Sequence, residues 1–313
     1  MPAPERVPAQ RMTGVTSDAV DRDATRALLA GGALTVRGRI GGASNAVLHC
    51  VVEDPSGASL PCVYKPVAGE RPLWDFPDGT LAQREVAAYE VSEATGWGLV
   101  PATVLRDGPY GEGMCQLWIG PVPEDDAEDP DDDPGDSGDA TDDATHDGTE
   151  GEEDEQLLAL VEGDEPGPGW KAIGFADVGG GRTALLVHAD DARLRRLAVL
   201  DAVLNNGDRK GGHLLLSGAR LYAIDHGVTF HAEDRLRTLL WGWAGEPLPD
   251  EALDVLRGLS AALAEGAPLG TRLAELVTAA ELDAVRARTA ALLASGRHPA
   301  PGGEWPPIPW PPL

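Results

Sequence analysis

Apolar residues alternate with polar ones along much of residues 33–120, whereas the chain after residue 189 repeats them mostly at helical spacing. The alternating part predicts β-strands over 33–40, 45–54, 59–67, 99–107 and 113–120. One helix is predicted among these strands, over 78–98, with Thr80 and Gln83 at capping-box spacing and Gly96 at its end. Another short helix is predicted over 18–32.

The second half of the chain is predicted to be mostly helical. Helical patterns cover 155–162, 189–204, 233–243, 249–265 and 270–295, and two short strands at 214–217 and 221–224 form a hairpin. The pattern favours an α+β fold with two lobes. The predicted units are an N-terminal arm with a short helix (1–32), a β-rich lobe (33–120), an acidic insert (121–155), a mostly helical lobe (156–298) and a proline-rich tail (299–313).

Charge and composition exclude several classes of partner. The net charge is −27, and residues 124–155 contain 18 acidic residues with no Lys or Arg, which predicts a disordered segment. The rest of the chain is also acidic, which argues against nucleic-acid binding. We find no membrane span and no signal peptide, and the three widely spaced cysteines fit neither a disulfide framework nor a zinc site. We therefore expect a cytoplasmic protein, with the acidic insert or the tail as a possible site for a protein partner.

Lys65 is one of only three lysines and lies in an apolar strand. A lysine that becomes buried there needs an anionic partner. Glu85 lies on the stripe of the 78–98 helix that the pattern turns inward, so it is the natural candidate. The alternative is a surface lysine with a solvated helix glutamate, and these two residues alone slightly favour that alternative.

The stretch 204–231 contains two aspartates at the ends of a predicted hairpin. Asp208 follows the turn residues "NNG", and Asp225 ends the strand "LYAI". Two carboxylates placed in this way can converge on one metal ion, but turn-forming aspartates have the same local pattern. Earlier in the chain "GGAS" (41–44) is a small-residue loop between two strands, which could approach phosphate oxygens through its backbone amides.

The motifs "NNGDRKGGHLLL" and "YAIDHG" resemble the catalytic and metal-binding loops of the phosphatidylinositol 3-/4-kinase superfamily. There, Asp-Arg-x-x-x-Asn precedes a strand that ends in Asp-x-Gly. "AIDHGVTF" is most similar to type II phosphatidylinositol 4-kinases, and more loosely to HipA-type bacterial kinases. Together with "LRTLLWGWAG", these motifs also resemble a kinase-like family from actinobacteria. The resemblance covers about residues 33–120 and 155–260.

This resemblance implies a protein-kinase-like fold that transfers a phosphoryl group from ATP with Mg²⁺ or Mn²⁺. Lys65 would hold the α- and β-phosphates, with Glu85 orienting it. Asp208 would orient or deprotonate the acceptor hydroxyl, Arg209 would brace its loop, and Asp225 would ligate the metal. The phosphates would be covered by Gly41, Gly42 and Ser44, and the adenine would meet Leu117, Trp118 and Ile119.

One position departs from the superfamily pattern: His213 stands where an Asn ligates magnesium. An imidazole suits manganese or zinc better than magnesium. His213 is also expected to titrate near neutral pH, so metal binding would weaken as the pH falls. Three alternatives therefore stay open, namely a nucleotide-binding module without transfer, an AMP transferase on the same fold, and a zinc hydrolase using Asp208, His213 and Asp225. The acceptor is expected to be a protein or a small molecule rather than a membrane lipid, because no basic patch or lipidation segment is present.

Overall fold

The computed structural model describes residues 22–41, 45–76, 79–122, 156–177, 179–302 and 306–312. The acidic insert that we predict to be disordered lies almost wholly outside the described residues, as do most of the N-terminal arm and part of the 41–44 loop. All the statements that follow concern the described part of the chain.

The first lobe is a five-stranded antiparallel sheet with two helices. The elements are α1 (Arg22–Gly31), β1 (Ala33–Arg39), β2 (Leu48–Glu53), β3 (Ser59–Pro66), α2 (Leu81–Thr95), β4 (Thr103–Gly108) and β5 (Gly111–Leu117). The strands lie in the sheet in the order β1-β2-β3-β5-β4. Every strand predicted before residue 120 is therefore present, with ends that shift by a few residues.

The second lobe begins with a small sheet and continues with helices. Its elements are β6 (Leu158–Val161), β7 (Trp170–Asp177), β8 (Thr183–Ala189), α3 (Ala192–Leu204), β9 (Leu214–Ser217), β10 (Arg220–Ala223), α4 (Asp250–Ala262), α5 (Pro268–Leu273) and α6 (Ala279–Ser295). Strands β6, β8 and β7 form a three-stranded antiparallel sheet, and β9 and β10 form a hairpin. The two-lobed α+β architecture is confirmed.

Helix α2 has the ends that its sequence predicts. The Thr80 hydroxyl accepts a hydrogen bond from the Gln83 amide, the Gln83 side chain returns to the Thr80 amide, and Gly96 ends the helix in the left-handed region. The helix is buried along most of its length and contributes to the same apolar core as α3, α4 and α6. It therefore belongs to the first lobe in sequence but packs against both.

Three predicted helices are wrong in whole or in part. Residues 155–162 contain strand β6 rather than a helix. The prediction fails there because the periodicity of a short apolar run does not distinguish a strand from a helix.

Residues 233–243 are largely irregular, with one 3₁₀ turn at Trp241–Trp243. Their backbone amides bond to other segments, for example Arg237 N to Asn206 O at 2.9 Å. The predicted helix 270–295 is two helices, because Thr278 caps a new one at α6.

Two ion pairs tie α2 to the helices of the second lobe. Arg84 and Glu281 are both buried and form a salt bridge between α2 and α6. Glu90 of α2 lies 3.5 Å from Arg272 of α5. Since a buried ion pair needs both partners in place, the Arg84–Glu281 contact fixes the position of α2 relative to α6.

The described part of the proline-rich tail packs on the body of the second lobe. The Trp241 indole donates to Pro307 O at 2.8 Å, and the Thr238 amide donates to the same oxygen at 3.1 Å. The Gly211 amide donates to Pro312 O at 2.9 Å, so the tail also reaches the loop after α3.

Candidate active site between the lobes

Lys65 is placed on β3 so that its ammonium enters the cleft between the lobes. Its Nζ lies 2.8 Å from Glu85 Oε1 and 3.2 Å from Asp225 Oδ1. Burial works against the charged form of Lys65, but the two carboxylates outweigh it and raise the pKa of the ammonium. The lysine is therefore charged at all ordinary pH values. The alternative of a surface lysine with a solvated glutamate is excluded, because the two side chains form an ion pair.

Glu85 lies on the buried face of α2, as the helical pattern predicts, and its side chain is 2% exposed. Each of its carboxylate oxygens has a separate partner. Oε1 accepts from Lys65, and Oε2 accepts from the His226 amide at 2.8 Å. Glu85 is thus held by β3 of the first lobe and by the turn after β10 of the second.

Asp225 follows β10 and has a left-handed backbone with a φ of 61°. This is an uncommon conformation for an aspartate and is often found at functional sites. Its Oδ2 lies 3.4 Å from His213 Nε2, and its Oδ1 faces Lys65. The Lys65 ammonium holds the pKa of the Asp225 carboxyl well below its usual range. The carboxylate is therefore ionised and available to a cation.

Asp208 lies in the loop that follows α3 and lines the same cleft as Lys65, Glu85 and Asp225. The preceding helix ends at Asn205, whose φ is 56°. The Asp208 amide donates to Asn206 Oδ1 at 2.9 Å, and the Asp208 carboxylate lies 2.9 Å from Lys210 Nζ. The two aspartates that the sequence singles out therefore share one cleft.

Arg209 braces this loop from inside the second lobe. The side chain is fully buried and forms a bidentate pair with Asp201 of α3, with distances of 3.0 and 3.1 Å. It also donates to Ile224 O at 2.8 Å. These contacts join α3, the loop and the strand that leads to Asp225. They agree with the bracing role that the family resemblance implies.

His213 lies beside Asp225 but does not have an ordinary pKa. Burial lowers the pKa of His213 to about 4, helped by Arg209, Lys210 and Lys65 and opposed by Asp225. The expected loss of metal near neutral pH is therefore wrong for this ring, which is neutral well below pH 7. A neutral imidazole nitrogen next to an ionised carboxylate is a suitable pair of ligands for a divalent cation.

The described residues contain no group of three His, Cys, Asp or Glu side chains that could hold a metal ion by themselves. The three-ligand zinc site of Asp208, His213 and Asp225 is therefore not formed. Asp225 and His213 supply two ligands, and magnesium-type sites in phosphoryl-transfer enzymes commonly take the rest from substrate phosphates and water. The residues present fit a metal that binds together with a nucleotide.

The residues expected at the adenine do not line the cleft that contains Lys65. Leu117 ends β5, and Trp118 and Ile119 follow it. All three line a second cavity with Tyr89, Val100 and Tyr222. Gly41 is an exposed turn residue at the end of β1. Gly42 and Ser44 lie outside the described residues.

Several residues that line the cleft belong to no recognisable motif, so the sequence alone does not predict them as part of the site. Asn45 and Arg71 line the cleft and are joined by a bond from the Arg71 amide to Asn45 Oδ1 at 2.9 Å. Glu70 accepts from the Leu81 and Ala82 amides at 2.9 and 2.8 Å, so it caps the N-terminus of α2. A capping residue eleven positions before its helix gives no local signal.

The two lobes, the Lys65–Glu85 pair between sheet and helix, and the aspartates on the loops after α3 and β10 define a kinase-like fold. No family model matches the chain. The chain is 48% identical over 292 residues to Protein Rv2133c of Mycobacterium tuberculosis (strain ATCC 25618 / H37Rv), covering 93% of this chain and 96% of that protein. It belongs to the same family as Protein Rv2133c.

Solved structures that resemble the chain share little sequence with it. They include a Golgi casein kinase with Mn/ADP bound, at 12% identity with a TM-score of 0.46, covering 88% of this chain and 75% of that one. The structure of hydra Fam20 with sugar has 13% identity and a TM-score of 0.47, covering 91% of this chain and 90% of that one.

Proposed function

We propose that the protein is an ATP-dependent phosphotransferase that acts on a hydroxyl group. The observation that carries this proposal is the Lys65 ammonium, which lies between Glu85 of α2 and Asp225 of the second lobe in a cleft that also contains Asp208. A fixed cation, an ionised carboxylate that can ligate a metal and a separate loop aspartate are three of the parts that recur in enzymes that transfer a phosphoryl group from ATP.

In the proposed reaction, Lys65 binds the α- and β-phosphates while Glu85 keeps the ammonium in place. Asp208 accepts the proton of the acceptor hydroxyl, whose oxygen forms a new bond to the γ-phosphorus as the bond to the β,γ-bridging oxygen breaks. The products are ADP and the phosphorylated acceptor. Arg209 keeps the Asp208 loop in position from within the core.

The proposed cofactor is Mg²⁺ or Mn²⁺, held by Asp225 and His213 together with the nucleotide phosphates. When bound, the ion neutralises the charge that develops on the phosphate oxygens. The imidazole ligand favours Mn²⁺ more than an amide oxygen would.

We place the proposed enzyme with the phosphatidylinositol 3-/4-kinase-like proteins by its motifs, and we propose a protein or a small molecule as its acceptor. Within the described residues no helix is long and apolar enough to cross a membrane. The net charge of −27 disfavours binding to anionic lipid headgroups.

The test is ATP turnover by the purified full chain with Mg²⁺ and with Mn²⁺, compared with Asp208→Ala and Asp225→Ala. Both substitutions are expected to abolish turnover. Asp254→Ala is the matched control, because Asp254 is an exposed residue of α4 that pairs with Arg257. Turnover that survives in both cleft variants would show that the activity lies elsewhere.

A second candidate is a nucleotide-binding module that does not transfer phosphate, and His213 at the metal position favours it. It predicts thermal stabilisation by ATP with either metal, and no product in the presence of candidate acceptors. Mass spectrometry of any modified acceptor separates phosphoryl transfer from transfer of AMP, because the two adducts differ in mass.

A further inference from the structure

His226, the residue after Asp225, is completely buried and lies between the two halves of the candidate site. Its backbone amide donates to Glu85 Oε2 at 2.8 Å. Its ring Nε2 lies 2.7 Å from Arg209 Nη2. The residue therefore contacts the helix of the first lobe through its backbone and the catalytic loop of the second lobe through its side chain.

The contact with Arg209 determines the form of the imidazole ring. A guanidinium only donates hydrogen bonds, so His226 Nε2 accepts and the proton of the neutral ring lies on Nδ1. This Nδ1 makes no hydrogen bond within the described part of the chain, and it lies 4.0 Å from Glu85 Oε2. The ring is thus oriented with its acceptor towards the loop and its donor towards Glu85.

His226 completes a continuous polar chain from Lys65 to Asp208. From Lys65 the chain passes through Glu85 to His226, with distances of 2.8 Å at both steps. From the His226 ring the chain continues to Arg209 Nη2 at 2.7 Å, and from Arg209 Nε to Asp201 Oδ2 at 3.0 Å.

The last part of this chain lies within the loop after α3. Asp201 accepts from Asn206 Nδ2 at 3.0 Å, and Asn206 Oδ1 accepts from the Asp208 amide at 2.9 Å. Every side chain between Lys65 and Asp208 in this path is buried.

We propose that His226 is a positioning residue that couples the Lys65–Glu85 pair to the catalytic loop, through the hydrogen bond that its ring accepts from Arg209. The inference rests on the proposed function, because it takes Lys65 and Asp208 as the groups whose relative position matters for phosphoryl transfer. Networks of buried, hydrogen-bonded polar groups hold one geometry because each broken bond leaves a buried group without a partner. Loss of the His226 acceptor therefore leaves one N–H of Arg209 Nη2 without an acceptor, while the other still donates to Asp201. We expect this loss to loosen the Asp225–His226 turn beside Glu85.

The experiment compares His226→Gln with His226→Leu in the full chain. Glutamine retains an acceptor oxygen for Arg209, whereas leucine fills the space without one. We expect kcat for ATP turnover to fall by roughly 100-fold in the leucine variant, the scale that small misplacements of catalytic groups produce. The glutamine variant is expected to recover most of this loss. KM for ATP is expected to change far less than kcat in both.

A second measurement does not depend on turnover. The rate at which an amine-reactive reagent labels Lys65 is followed by mass spectrometry, with Lys171 as the internal reference. Labelling of Lys65 is expected to rise in His226→Leu and to stay near the wild-type rate in His226→Gln. His231→Leu is the matched control, because that histidine lies five residues further on and contacts Phe76 rather than Arg209.

The outcomes separate the inference from the proposed function. If the wild-type chain turns over ATP and the leucine and glutamine variants behave alike, the positioning role is wrong while the function stands. If the wild-type chain shows no turnover, the proposed function fails and the labelling rates alone decide the inference. Should the leucine variant not fold, as judged by circular dichroism, His226→Met replaces it as the variant without a strong acceptor.

Discussion

Lys65 of β3 and Asp225 of the turn after β10 lie 3.2 Å apart across the cleft between the lobes. They are far apart in sequence, and each comes from a lobe with its own sheet. Because Glu85 holds the same ammonium from the other side, the cation is fixed before any nucleotide binds. In the proposed function, such preorganisation lowers the entropy cost of binding the nucleotide phosphates at this position.

Replacement of Lys65 by methionine is expected to lower ATP turnover by roughly 100-fold or more, the scale seen when one preorganised group that stabilises developing charge is removed. The stabilisation of the protein by ATP, measured as the shift in Tm, should fall as well. Lys171→Met is the control, since Lys171 pairs with Glu246. A normal ATP-induced Tm shift in Lys65→Met would contradict the assignment of Lys65 to the phosphates.

Replacement of His213 by asparagine is expected to change the metal preference. An amide oxygen is a harder ligand than an imidazole, so the Tm shift with Mg²⁺ and ATP should increase relative to that with Mn²⁺. If the ratio of the two shifts is the same in both proteins, His213 does not contact the metal.

The pH dependence of nucleotide binding in the wild-type chain tests the environment of the same ring. Because burial lowers the pKa of His213 to about 4, the ring remains neutral as the pH falls from 8 to about 5. The contribution of His213 to metal-dependent nucleotide binding should therefore be nearly constant over this range and weaken only as the pH approaches about 4. Isothermal titration calorimetry at several pH values measures this, with His213→Asn as the reference because the terminal phosphate of ATP itself titrates at about pH 6. A loss near pH 6.5 that occurs in wild type and is absent from His213→Asn would contradict it.

His188, which lies outside the cleft, should make stability depend on pH. Its Nε2 accepts from the Gly242 amide at 3.1 Å and its Nδ1 lies 2.9 Å from Ala189 O, so the folded protein holds the neutral ring. Burial lowers the pKa of His188 to about 4. An unfolded histidine titrates near 6.5, so the stabilisation is present above that pH and is lost as the pH falls towards about 4.

We expect this group to lower the free energy of unfolding by about 1.4 kcal/mol per pH unit between about pH 6 and 4. Urea unfolding at several pH values measures the slope, and His188→Gln should reduce it. His231→Gln, which changes a partly exposed histidine, should leave the slope unchanged. An equal slope in wild type and His188→Gln would assign the acid sensitivity to other groups.

The buried pair of Arg84 and Glu281 should stabilise the contact between α2 and α6. Glu281→Gln leaves the Arg84 guanidinium buried without its counter-charge, which typically costs about 3–5 kcal/mol. The double variant Arg84→Met with Glu281→Gln should lose less than the sum of the single changes, because it removes both charges. Chemical unfolding of the four proteins measures the coupling, and strictly additive losses would show that the pair contributes no interaction of its own.

Local patterns predict the first lobe well. Alternation of apolar residues gives the five strands, and the Thr80–Gln83 capping box with Gly96 gives both ends of α2. The same helical stripe turns Glu85 inward, where the structure confirms its bond to Lys65. These features depend on neighbours within a few residues, so they can be inferred without the rest of the fold.

Other features depend on contacts between distant segments. The irregular course of residues 233–240 follows from hydrogen bonds to Asn205, Asn206 and the proline-rich tail, which no local pattern encodes. The lowered pKa of His213 comes first from burial and also from Lys65, which is distant in sequence, rather than from its sequence neighbours alone. Leu117–Ile119 line a separate cavity because they lie near Tyr89 of α2 and Tyr222 of β10, which are distant in sequence.

By itself, the sequence determined the residue types of the site, their order along the chain and the α+β division into two lobes, because these follow from periodicity, capping and motif spacing. Only the tertiary structure decided that Lys65, Glu85 and Asp225 meet, and that His226 joins them to Arg209. The physical reason is that α2 packs against both lobes. From its buried position, α2 places Glu85 against both Lys65 and His226, which are far apart in the sequence.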